Sequence, residues 1–129
     1  MDEDVSFEVS EPAGSIYNIK HRAFYFSKEV VLFISKQQYG KIYFSIFDQL
    51  LRSATSIAAN LVEGIAGSSK NDFLKFYIIA LKSANETKYW LCLIRDTLII
   101  DKSAIDLVLK EADELSKIIA SIVITSKKQ

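Results

Sequence analysis

Residues 60 to 73 read NLVEGIAGSSKNDF, with Gly64 and Gly67 followed by Ser68, Ser69 and Lys70. Small residues, hydroxyls and a lysine together could cradle a phosphate, because backbone N–H groups can approach an anion wherever no side chain blocks them. A P-loop places four residues between its glycines and follows a strand. Here the glycines stand closer together and the preceding residues have helical periodicity. The dinucleotide fingerprint also needs a strand before its first glycine. A GxxG loop of the KH type lies between helices, as this one would, but it belongs to a fold with a sheet that this sequence cannot supply. The stretch therefore reads as a turn between helices. Gly67 is expected to leave one helix through a left-handed conformation, and the Ser69 hydroxyl to cap the next. Lys70, beside the free N–H groups of that helix start, is a candidate anion contact.

Glu63 and Glu86 are the carboxylates nearest apolar surroundings, so a raised pKa could mark an acid–base pair. No partner nucleophile and no Glu-x-x-His spacing accompany them. The expectation is a hydrogen-bonded polar network between helices, formed by Arg52, Ser56, Asn60, Glu63 and Glu86. Cys92 is the one cysteine and His21 the one histidine. A disulfide framework and a Cys/His zinc site of the usual ligand number are thereby excluded. No catalytic residue, metal site or cofactor is expected.

These side chains sit on helices that hydrophobic spacing predicts at about residues 16–38, 41–66, 70–99 and 103–126. In the first, Ile16, Ile19, Ala23, Phe26, Val30, Phe33 and Ile34 fall on one face at about 100° per residue. In the second, the stripe is Tyr43, Phe47, Leu50, Ala54, Ile57, Ala58, Leu61 and Ile65. The third carries a principal stripe from Phe73 through Tyr77, Ala80, Ala84, Thr87 and Leu91 to Leu98. It also carries a second line, Leu74, Ile78, Leu81, Cys92 and Ile99. A helix apolar over most of its circumference is either central or shared with another subunit, so this second line is the expected subunit interface. The last helix begins at Asp101 or Ser103, and Ile105, Val108, Ala112, Leu115, Ile119 and Ile122 form a coiled-coil-like seam. No segment alternates with period two between hairpin turns. The fold class is all-α, an up-and-down antiparallel four-helix bundle.

The chain has 129 residues, half of them apolar, and 16 basic residues balance 16 acidic ones. That zero is uneven. Residues 1–15 hold five acids and no base and read as a mobile acidic tail, which leaves 16 basic against 11 acidic, or +5, for the single domain expected over residues 16–129. A mildly basic body permits contact with nucleic acid without demanding it. Arg52, Lys70, Lys75, Lys82, Lys88 and Arg95 are the candidate anion or nucleic-acid contacts. No apolar run approaches the roughly 18 residues of a membrane span, and no signal segment opens the chain. The default compartment is the cytoplasm, with no membrane partner.

QLLRSATSIAANLVEG and SSKNDFLKFYIIALKSANETKYWL carry a further signal. Gln49-Leu50, Arg52-Ser53, Ser56-Ile57, Asn60, Glu63-Gly64, Ser69-Lys70, Asp72-Phe73, Ala80-Leu81-Lys82, Glu86-Thr87 and Tyr89-Trp90-Leu91 recur in order across two helices and their turn. In these marks, and over about residues 20 to 125, the chain resembles the 23S rRNA intervening-sequence proteins. That resemblance implies an up-and-down four-helix bundle assembling into a ring-like homopentamer. The family is similar in fold to the accessory proteins of diversity-generating retroelements, which work with a reverse transcriptase and bind nucleic acid through a basic surface. The expected function is a non-enzymatic oligomeric scaffold that binds RNA, DNA or a nucleic-acid-processing protein through a ring surface. The alternative is a protein–protein adaptor without nucleic-acid binding.

Overall fold

The computed structural model describes residues 18–129. The acidic tail at 1–15 and the first residues of the first predicted helix lie outside them. Helix α1 spans Asn18–Ser35, a 3-10 turn spans Lys41–Tyr43, and α2, α3 and α4 span Phe44–Ala66, Lys70–Thr97 and Lys102–Lys127. Each helix packs on its neighbour in sequence, and α1 closes the ring of contacts against α4. This is the up-and-down antiparallel four-helix bundle, with no strand among the described residues.

The core is the inner stripe of each helix. Ile19, Ala23, Phe26, Val30 and Phe33 face Phe47, Leu50, Ala54, Ile57 and Leu61 of α2, Tyr77, Ala80, Ala84, Leu91 and Ile94 of α3, and Ile105, Ala112, Leu115 and Ile119 of α4. The fully buried alanines on α2 and α3 let these two helices share the longest seam of the bundle.

Helix α1 ends three residues earlier than its periodicity suggests. The amides of Lys36 and Gln37 donate to the carbonyls of Phe33 and Ile34, and the Gln37 side-chain amide also donates to Phe33 O, so the last carbonyls find partners outside the regular ladder. The chain is then free to bring Tyr39 flat onto Phe47, with ring centroids 4.1 Å apart and planes 9° apart. A further helical turn would carry that ring away. At the same end, the Tyr43 hydroxyl donates to Thr97 Oγ1 at 2.9 Å and ties the start of α2 to the end of α3.

Local capping chemistry sets two of the remaining ends. Ser69 Oγ accepts from Asp72 N at 3.1 Å. Asp101 caps α4, its Oδ1 accepting from Ser103 N and Ala104 N, so the helix starts at Lys102.

Candidate functional site

The turn between α2 and α3 contains no cradle. Gly67 is extended, with φ −64° and ψ 152°, and does not take the left-handed conformation its position suggested. Its need for glycine is spatial. A Cβ there would lie 2.9 Å from Asp72 Cβ and 3.2 Å from Gly64 O, because the first turn of α3 folds back over it. Gly64 is likewise a packing residue: a Cβ would sit 2.8 Å from Cδ1 of Tyr77. That ring is fully buried and stacks on Phe73, with centroids 4.1 Å apart. Both glycines therefore serve the close approach of α2 and α3.

The polar groups between these helices are neutral ones. Asn60 Nδ2 donates to Ser56 O at 2.8 Å and to Ser56 Oγ at 2.9 Å, and Ser83 Oγ donates to Ser56 Oγ at 3.2 Å. Deeper in, the Thr87 hydroxyl reaches the Ser83 carbonyl at 2.7 Å and Ser53 Oγ at 2.9 Å. The seam is thus Ser53, Ser56, Asn60, Ser83 and Thr87. Arg52, Glu63 and Glu86, expected within it, stand outside. Arg52 pairs with Asp48 at 2.9 Å on the surface, Glu63 is exposed, and the exposed Glu86 accepts from Trp90 Nε1 at 3.1 Å. Burying a charge costs far more than burying a hydroxyl that finds a partner, so the helices close on serine, threonine and asparagine and leave the carboxylates in water. The sequence did carry a sign of Ser83 and Thr87: two small hydroxyl residues four apart on or beside the buried stripe of α3.

The six basic residues divide into two groups. Arg52 is held by Asp48. Arg95 lies 2.9 Å from Asp96 and 3.8 Å from Asp106. Half-buried Lys88 bridges α3 to α4, its Nζ donating to Asp113 Oδ1 at 3.2 Å and to Ser116 Oγ at 3.0 Å. Lys117 grips the other Asp113 oxygen at 3.0 Å, and these two lysines, Lys117 foremost, hold the Asp113 carboxyl below its usual range. Lys70, Lys75 and Lys82 have no carboxylate partner among the described residues. Lys70 is exposed at the start of α3 and donates to the carbonyl of Gln129. Lys75 and Lys82 are two helical turns apart on one exposed line of α3, which continues to Tyr89, 58% exposed.

Along the second apolar line of α3, Leu74, Ile78 and Leu81 are half-buried against the core, and Cys92 is half-buried in a shallow groove toward α4 beside Lys88 and Asp113. Ile99 does not continue this line. Helix α3 stops at Thr97, Leu98 is extended with φ −100° and ψ 143°, and Ile99 is wholly exposed in the connection. Helical phase is lost once the backbone leaves the α region, which spacing alone did not reveal.

An open groove of about 780 Å³ separates α1 from α4, walled by Arg22, Tyr25, Glu29, Leu107 and Glu111. Arg22 holds Glu111 with two hydrogen bonds, of 2.7 and 2.9 Å. Partial burial, with the Glu111 charge second, raises the Glu29 carboxyl above its usual range. No cluster of three or more histidine, cysteine or acidic side chains is placed to hold a metal ion among the described residues. No described helix is long and apolar enough to cross a membrane.

A family model described as 23S rRNA-intervening sequence protein matches residues 17–121. The chain is also similar to a crystal structure of a protein of unknown function from the S23 ribosomal protein family of Bacteroides thetaiotaomicron. The two are 32% identical, superpose with a TM-score of 0.72, and match over 81% of this chain and 97% of the other. None of the curated proteins matches this chain.

Proposed function

We propose that this chain, which belongs to the 23S rRNA-intervening sequence protein family, is a non-enzymatic cytoplasmic scaffold. In this reading it assembles laterally into a homopentameric ring through Leu74, Ile78, Leu81 and Cys92, and presents Lys70, Lys75 and Lys82, which no carboxylate among the described residues pairs, to RNA or to a nucleic-acid-processing partner. The observation that carries the nucleic-acid half is the exposed line Lys75, Lys82 and Tyr89 on α3, with Lys70 exposed at the first residue of the same helix. Lysines spaced along a helix suit a phosphate backbone, and an exposed aromatic ring beside them offers a base a stacking surface. Arg52, Lys88 and Arg95 contribute less, because carboxylates of the same chain already neutralise them. A ring would repeat the weak line around its circumference and raise its avidity.

A protein–protein adaptor is the second reading. The same in-chain neutralisation favours it, together with the half-buried apolar line on α3.

Fluorescence anisotropy with structured RNA and DNA fragments over a salt series tests the first reading. Binding should weaken as salt rises, and Lys75→Glu/Lys82→Glu should reduce the log–log slope by about two, one for each lost phosphate contact. No binding at low salt removes the nucleic-acid half and leaves the adaptor. Light scattering that reports a stable monomer near 14.6 kDa removes the ring.

A further inference from the structure

The two ends of the bundle differ in character. Among the described residues, one end carries Ser68, Ser69, Lys70, Lys127 and Lys128, exposed and polar, with Ile124 exposed about one turn in from the end of α4. At the other, where the Tyr43–Thr97 hydrogen bond joins two connections, Ile42 is 80% exposed, Phe44 59% and Ile99 100%. Connections are ordinarily polar, so two isoleucine tips at one end mark a contact surface.

The charges at this end indicate what it contacts. Lys36, Lys41, Arg52, Arg95 and Lys102 stand against Asp48, Asp96, Asp101 and Asp106, a surplus of one positive charge. A nucleic acid or an anionic lipid surface would call for a strongly positive end. Most of these charges are engaged within the chain: Arg95 with Asp96 and Asp106, Asp48 with Arg52, and the Lys102 ammonium with the Arg95 carbonyl. Two groups beside the isoleucines are not. Lys41, next to Ile42, has no carboxylate partner among the described residues. Asp101, two residues after Ile99, takes all its cap hydrogen bonds on Oδ1, from Ser103 N, Ser103 Oγ and Ala104 N, which leaves Oδ2 open. A cation beside one apolar tip and an anion beside the other form a self-complementary pattern. A two-fold contact requires this, because each copy must present both halves.

We propose that this end of the bundle is a two-fold docking surface for a second copy of the chain, with Ile42 of one copy packed on Ile99 of the other and Lys41 paired with Asp101. The contact is separate from the lateral ring. Where both form, two rings stack end to end.

Sedimentation equilibrium on the full chain tests this. Ile42→Glu/Ile99→Glu alters only exposed positions and should halve the assembly mass, with the far-UV circular dichroism spectrum unchanged. Lys41→Glu should weaken the association by setting two carboxylates face to face. Adding Asp101→Asn, which keeps a good helix cap, should restore part of it. An unchanged mass in Ile42→Glu/Ile99→Glu overturns the proposal, whether the wild type is a monomer or a ring. Ile78→Glu reports on the lateral contact separately: it should leave pairs of chains, and if it alone lowers the mass, the ring stands and the end-to-end contact falls.

Discussion

Replacing Gly64 by alanine sets two opposing effects against each other. On an exposed helix the change would stabilise by about 1 kcal/mol, since alanine loses less backbone entropy and has the higher helix propensity. Here the new Cβ would meet Tyr77 Cδ1 at 2.8 Å, Tyr77 Cε1 at 3.0 Å and Phe76 Cβ at 3.3 Å. The Tyr77 ring cannot swing aside, because it is fully buried and stacked on Phe73. Overpacking of this kind costs roughly 1–3 kcal/mol. The difference predicts a net destabilisation of about 1 kcal/mol, or a fall in melting temperature of roughly 3–6 °C for a domain of this size. Thermal melts followed by circular dichroism at one fixed protein concentration read the change directly. Tyr77→Leu combined with Gly64→Ala tests the cause, since a smaller side chain relieves the clash. The double variant should then be more stable than the sum of the single effects by more than about 0.5 kcal/mol. A rise in melting temperature for Gly64→Ala, or strict additivity with Tyr77→Leu, would refute the account of α2–α3 packing given above.

The neutral seam gives a second prediction: Thr87→Val should lower stability by about 0.5–1.5 kcal/mol, because the Thr87–Ser53 hydrogen bond is lost while Ser53 keeps its bond to the Leu50 carbonyl, and Thr87→Ser should recover much of the loss; urea midpoints for both variants check this. Asp113 predicts a pH dependence. Its folded pKa is depressed below the usual carboxylate range by Lys117 and then Lys88, so its contribution is present above the unfolded value and is lost as pH falls through the folded one. Asp113→Asn should therefore be less stable than the wild type at neutral pH, and the gap should close as the pH falls below the ordinary carboxylate range; a gap that persists unchanged in acid would assign Asp113 a role other than charge.

What the amino-acid sequence determined by itself was whatever rests on neighbours within a turn or two. The inner stripes of the four helices, the Ser69 cap and the start of α4 near Asp101 follow from 3.6-residue periodicity and from side chains bonding their own backbone. The ordered polar marks along α2 and α3 identified the family, since landmarks keep their spacing whatever they touch. Tertiary structure decided everything that depends on which surfaces meet. Only the packed bundle shows that Gly64 and Gly67 are required by Tyr77 and Asp72 and not by a left-handed turn, and that Tyr39 ends α1 early by stacking on Phe47. Spacing on one helix could group Arg52, Ser56, Asn60 and Glu63, but it could not rank them by desolvation cost, which admits Ser56 and Asn60 to the seam and leaves the charged pair in water. Nor could it place Asp113 opposite Lys88, or bring Lys41–Ile42 and Ile99–Asp101 to one end of the molecule, because those residues lie far apart along the chain and meet only through the antiparallel return of the helices.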